Sequence, residues 1–129
     1  MEVVVADTNL LVRAVMGDDV EQTKRVSRLL KSSVVVILES VFMECEWVLR
    51  SLYGQSRSEI VRAFRDLIAL DHTQIDRRRM ILGVIEAYEK GFDFADALHH
   101  ACAEGLELKT FDRKFVNRAK KEGWKVSLV

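Results

Sequence analysis

The sequence predicts an α/β fold with a mostly parallel sheet and helices on both of its faces. Short apolar runs at Val3-Val4-Val5-Ala6, Val34 to Leu38, Glu107 to Thr110 and Lys125 to Leu128 alternate with stretches whose apolar residues recur every three or four positions. Strands that alternate with amphipathic helices form parallel sheets joined by helical crossovers. A second observation concerns acids. Asp7, Glu44, Asp96 and Asp112 each stand where a strand ends or a following helix begins, and open α/β folds keep their sites at the carboxyl edge of the sheet.

The first strand covers Glu2 to Ala6, a continuous apolar run of the kind expected where both faces of a sheet are covered. A helix follows Asp7-Thr8-Asn9, with Leu10, Leu11, Ala14 and Val15 as its buried stripe and Gly17 at its end. Asp18-Asp19 opens a second helix, whose apolar side is Val20, Val26, Leu29 and Leu30. After the strand at Val34 to Leu38, Ser40 is the expected N-cap of a helix carrying Val41, Cys45, Val48, Leu49 and Leu52 inward. Ser56 or Ser58 caps the next helix, which turns Ile60, Phe64, Leu67 and Ile68 to the core, and a further helix uses Met80, Ile81, Val84, Ile85 and Tyr88. Asp93 to Glu104 reads as helix, Glu107 to Thr110 as strand, Arg113 to Lys121 as a basic helix and Lys125 to Leu128 as the last strand. Between residues 56 and 104 the pattern is three helices with at most one weak strand, heavier in helix than a plain doubly wound fold.

The 129 residues show no linker, low-complexity tract or internal repeat, so residues 1–129 are read as a single domain. An apolar fraction of 49% excludes a disordered chain, and no apolar run reaches the length of a spanning helix. The start Met1-Glu2-Val3 lacks the features of a signal peptide, and a cytoplasmic location is expected. Cys45 and Cys102 match no zinc or redox spacing; each lies on an apolar helical stripe, so both are expected to be buried thiols. Trp47 and Trp124 are likewise expected in the core.

Lys plus Arg equals Asp plus Glu at 20 each, so no global charge points to nucleic acid. The distribution is uneven. Between residues 109 and 125, Lys109, Arg113, Lys114, Arg118, Lys120, Lys121 and Lys125 face only Asp112 and Glu122, and Arg77-Arg78-Arg79 forms a second basic cluster. Such stripes neutralise phosphates or simply solvate a helix face.

Asp7 closes a strand and either points into the crevice or caps the next helix, two compatible roles. Thr8 and Asn9 are placed to hold its carboxylate. Glu44 lies near the buried side of its helix, as a ligand or as a capping partner of Ser40. Asp93, Asp96 and His100 share one helical stripe; Asp93 also suits the helix dipole, and His100 is either a ligand or structural. Asp112 repeats the logic of Asp7, with Thr110 before it and Arg113 and Lys114 after it. Several carboxylates gathered at a sheet edge without a His- or Cys-based spacing read as an oxygen-ligand site for Mg2+ or Mn2+.

Four segments resemble the PIN-domain family, especially ribonuclease toxins of the VapC type. They are Val-Val-Ala-Asp-Thr-Asn-Leu-Leu-Val-Arg ending at Arg13, Glu44-Cys45-Glu46-Trp47-Val48-Leu49-Arg50, Asp93-Phe94-Ala95-Asp96-Ala97-Leu98, and Thr110-Phe111-Asp112-Arg113-Lys114-Phe115. The resemblance runs from end to end and implies a three-layer α/β/α sandwich around a central parallel sheet of about five strands. It implies Asp7, Glu44, Asp96 and Asp112 as metal-holding catalytic acids, with Asp93, Asn9 and Thr110 as accessories. It further implies a metal-dependent endoribonuclease, restrained by a cognate antitoxin and commonly dimeric. The expected chemistry is in-line attack of a metal-activated water on an RNA phosphodiester, with Arg113, Lys114 and Arg50 steering the backbone.

Two other classes compete. A phospho-acceptor signalling domain has this length and gathers acids at the same edge, but it needs an acceptor Asp after its central strand, where this chain has Leu38-Glu39-Ser40. A catalytically silent partner-binding domain would keep the fold without the chemistry; retention of all four acids argues against it.

Overall fold

Valine-rich β1 (Glu2–Val5) and β2 (Ser33–Val36) pair in parallel, Val3 opposite Val34 and Val5 opposite Val36, in the computed structural model, which describes residues 1–129. Parallel neighbours require a long crossover. Here it consists of α1 (Thr8–Met16) and α2 (Val20–Ser32). A second crossover, α3 (Glu39–Ser51) and α4 (Arg57–Ala69), leads to the two-residue β3 (Thr73–Gln74), which lies parallel to β2 on its other side. The order β1-β2-β3 leaves β2 central. These elements belong to the first of two compact units, Met1–Arg78.

The first unit's core lies among its helices and the central strand. Leu11, Val35, Phe42, Cys45, Leu49, Ile60 and Phe64 are fully buried, and the rings of Phe42 and Phe64 meet edge-on at 5.2 Å between α3 and α4. β1 differs from the expectation of a strand covered on both faces: Val3 and Val5 are 61% and 60% exposed. Residues two apart on a strand share one face of the sheet, so that face of β1 is left uncovered. Val20, expected on the apolar side of α2, is also exposed.

Polar contacts fix the turns. Gly17 ends α1 in the left-handed region, at φ 62°, where a side chain would be strained. The Arg13 guanidinium donates to Gln22 at 2.6 Å, to Asp18 at 3.2 Å and to the Tyr53 hydroxyl at 3.0 Å, tying α1 to α2 and to the end of α3. Ser56, not Ser58, caps α4, in a reciprocal capping box with Glu59. The expected cap Ser40 falls inside α3: the helix begins at Glu39 after an extended Leu38 that makes no side-chain cap. Glu39 instead receives two bonds of 2.9 Å from the Arg77 guanidinium.

The second unit, Arg79–Val129, holds nearly all of α5 (Arg78–Lys90), then α6 (Phe94–Cys102), β4 (Leu108–Thr110), α7 (Arg113–Lys121) and β5 (Val126–Leu128). β4 and β5 pair in parallel, Thr110 opposite Leu128, with α7 as their crossover. Tyr88 and Phe94 meet edge-on at 5.5 Å. Phe92 packs edge-on against Phe115 at 6.3 Å and stacks on Trp124 at 4.3 Å. Gly91 has φ 119°, a backbone conformation that L side chains rarely adopt, so a side chain there would be strained.

The α/β class is as the sequence predicted, with seven helices and every strand pair parallel. The five strands are hydrogen-bonded as a sheet of three and a pair, not as one continuous sheet. No helix is long and apolar enough to cross a membrane. Because Phe42 is fully buried and locked against Phe64, Phe42→Ala should cost about 3–5 kcal/mol of stability, measurable by urea unfolding; a loss under about 1 kcal/mol would mean that the α3–α4 contact is not a core contact.

Candidate active site

In the first unit, the residue just beyond β1 becomes the N-cap of α1. Asp7 is extended, at φ −89° and ψ 176°, and its Oδ1 accepts the Leu10 amide at 2.9 Å. The backbone of α1, not Thr8 or Asn9, therefore holds this carboxylate; Thr8 is buried and Asn9 exposed. Capping engages one oxygen and leaves the other for a ligand.

Glu44, expected near the buried side of α3, faces solvent, and Glu46 is buried in its place. Glu46 is only 4% exposed and receives the Arg50 guanidinium at 2.7 Å. Arg50 was expected to steer RNA; one helical turn from a buried acid, it neutralises that acid instead. Between the two glutamates, Cys45 is buried, and burial followed by the charges of Glu44 and Glu46 pushes its thiol up to about 12. Trp47, expected in the core, is 52% exposed. Of the Arg77-Arg78-Arg79 cluster, Arg77 pairs with Glu39 and Arg78 donates to the Ile68 carbonyl at 3.1 Å, so two of its three charges serve the fold.

The second unit places three acids within electrostatic reach of one another. Asp93 caps α6, its Oδ2 accepting the Asp96 amide at 3.1 Å. Asp112 caps α7, its Oδ1 accepting the Phe115 amide at 3.1 Å, while its own amide donates to Thr110 Oγ1 at 3.0 Å. Thr110 thus orients the turn that carries Asp112. Asp96, half-buried in the first turn of α6, is held above the usual carboxylate range first by desolvation, then by the negative charges of Asp93 and Asp112, against a smaller opposing effect of His99. The two helix N-termini partly offset this negative charge.

His100 takes no part in that group. Its ring lies flat on Trp124 at 3.9 Å, and burial lowers its pKa. Phe92 stacks on the same indole at 4.3 Å. Two rings that close cannot share one face, so both faces of Trp124 are taken and neither is open to a base. Cys102, expected to be buried, is exposed. A groove of about 830 Å³ in the first unit, floored by Val15, Val26, Leu30 and Leu67, contains none of the acids singled out from the sequence.

The donors are carboxylates, the ligand type of hard divalent cations. No three His, Cys, Asp or Glu side chains are gathered closely enough to hold a metal ion. The oxygens of Asp93, Asp96 and Asp112 nonetheless have the chemistry that suits a cation, because positive charge beside Asp96 would relieve the burial and the neighbouring negative charges that raise its pKa. Sequence reasoning missed the burial of Glu46, although Arg50 one turn later was its signal, and it missed the exposure of Phe111, for which periodicity offers no signal at a strand end.

Parallel strands joined by helical crossovers, with aspartates capping the helices α1, α6 and α7, define an α/β protein with carboxylates at its helix starts. The sequence matches the PIN domain family over residues 4–121, and the chain belongs to that family. PIN domains are nuclease domains and generally use divalent metal ions. Comparison with curated proteins returns no match.

Two outcomes are expected. Near pH 8, an alkylating reagent should modify Cys102 in the folded protein and spare Cys45 until denaturant is added, because thiolate is the reactive form; mass spectrometry reads both sites, and prompt labelling of Cys45 would contradict its burial. A raised folded pKa means that the stability from Asp96 is present below its unfolded pKa and lost as pH rises through the folded one. At neutral pH, Asp96→Asn should therefore raise the Tm of the metal-free protein, while Mn2+ should raise the Tm of wild type more than that of the variant. A lower Tm for the metal-free variant would show that Asp96 is stabilised in its charged form.

Proposed function

We propose that this PIN domain is an Mg2+- or Mn2+-dependent endoribonuclease, the toxin of a VapC-type toxin–antitoxin pair. The observation that carries the reading is the placement of the carboxylates of Asp93 and Asp112, the caps of α6 and α7, within electrostatic reach of half-buried Asp96. Asp96 and Asp112 would hold a cation through their carboxylate oxygens, with Asp93 beside them. The reading assigns Asp7 and Glu44 of the first unit to cation binding as well, and Asn9 and Thr110 to supporting roles. When bound, the cation lowers the pKa of water and offsets charge on phosphate oxygens. Arg113 and Lys114, exposed in the first turn of α7 and engaged in no ion pair, attract the phosphate backbone to Asp112. Arg50, committed to Glu46, leaves that list.

The partners of the reading are an RNA substrate, a cognate antitoxin and a second copy of the chain. The groove in the first unit supports an antitoxin partner: an apolar floor rimmed by Lys31, Glu59, Arg62 and Asp66 has the chemistry that receives an amphipathic helix.

The test is incubation of the purified protein with a panel of structured and unstructured RNAs in Mn2+, Mg2+ or EDTA, beside Asp112→Asn, which keeps an oxygen for the cap. Metal-dependent internal cuts that fall at least about 10–100-fold in the variant are expected. Absence of cutting across the panel would overturn the nuclease reading in favour of a silent partner-binding domain. Light scattering on the same preparation should give a dimer mass; a monomer would remove that part of the reading.

A further inference from the structure

Phe111 stands between Thr110, the last residue of β4, and Asp112, the cap of α7. At 85% exposure it is the most solvated large apolar side chain in the protein. An aromatic ring left in water forgoes the large gain that burial offers it. Nor does it hang from a loose loop. The Val129 amide donates to the Thr110 carbonyl at 3.1 Å, the Asp112 amide to Thr110 Oγ1 at 3.0 Å, and the Phe115 amide to Asp112 Oδ1 at 3.1 Å. The backbone on both sides of the ring is fixed, so the ring is presented.

Its chemical surroundings select a ligand. Leu106, also exposed, stands at the far end of β4, and next along the chain from the ring come charged Asp112, Arg113 and Lys114. Lys109 leans to Glu107 at 3.7 Å, whereas Arg113 and Lys114 have no ion-pair partner. A π-face beside two uncommitted cations matches the alternation of base and phosphate in a single strand, where base faces are open to stacking. In a duplex those faces are already taken.

We propose that Phe111 stacks on an unpaired base of single-stranded RNA, with the adjoining phosphates against Arg113 and Lys114. This rests on the ribonuclease reading and adds a residue that positions the substrate. Stacking there sets which phosphodiester lies next to Asp112, so Phe111 is a positioning residue and takes no part in bond cleavage.

The experiment measures binding of a short, unstructured, fluorescein-labelled RNA, alone and annealed to its complement, by anisotropy in EDTA. Wild type, Phe111→Leu, Phe111→Ala and Phe111→Tyr are compared, and thermal melts confirm that each is folded. Loss of the ring should weaken single-strand binding about 5- to 100-fold, with Leu as poor as Ala, while Tyr stays within about threefold of wild type. Duplex binding should be unchanged by any of the three substitutions. The proposal is overturned if Phe111→Leu binds the single strand as wild type does, or if it weakens single strand and duplex alike. Cleavage by wild type with Mn2+ separates the two levels. Cutting together with a normal Phe111→Leu removes the stacking role alone, whereas a wild type that neither cuts nor binds RNA removes the ribonuclease reading and this inference together.

Discussion

Every helix that follows a strand begins with backbone N–H groups that have no partner in the helix, and the rest of this structure depends on how they are satisfied. The chain has no proline to start its helices. It uses short polar side chains: Asp7 for α1, Asp19 for α2, Ser56 for α4, Asp93 for α6 and Asp112 for α7. Three of these caps, Asp7 in the first unit and Asp93 and Asp112 in the second, are also among the acids of the proposed chemistry. One carboxylate oxygen secures the helix, the helix dipole favours the charge, and the second oxygen is left for chemistry. In the proposed function, fold and chemistry draw on the same side chains. Replacing such an Asp by Ala would uncap a helix and remove a ligand together, whereas Asn separates the two effects because its amide oxygen still accepts the cap bond.

How much of this was legible in the sequence follows from which forces are local. Caps and helical stripes are local, so α7 lies at Arg113–Lys121 as read, Asp7 and Asp112 are caps, and Ile60, Phe64, Ile81 and Ile85 are in the core, while Asp93, read as the first residue of its helix, caps it instead. Strand hydrogen bonding is not local. Five apolar or weakly apolar runs were visible, or half visible for β3, yet their division into a sheet of three and a pair was not, and β1 was misread as covered because four apolar residues look the same whether one sheet face or both are covered. On α3, a stripe rotated slightly from expectation buried Glu46 in place of Glu44; the Arg50 charge that compensates a buried acid was in view but was attributed to the substrate.

The basic residues divide in the same way. Arg13, Arg50, Arg77 and Arg78 are each committed to a side chain or carbonyl of their own unit, where they close turns and helix ends. Arg113 and Lys114 have no such duty. A chain with no net charge can thus still carry local attraction for a polyanion, because attraction depends on which cations remain uncompensated and not on the total.

Each unit also carries one of the two tryptophans, in opposite surroundings. Trp47 of the first is half in water, while Trp124 of the second lies between Phe92 and His100. Indole emission shifts to the red as water reaches it, and stacking against an imidazole quenches it. The protein therefore has a built-in pair of optical reporters, one for each half of the chain, and intrinsic fluorescence alone can tell whether the halves melt together or in sequence.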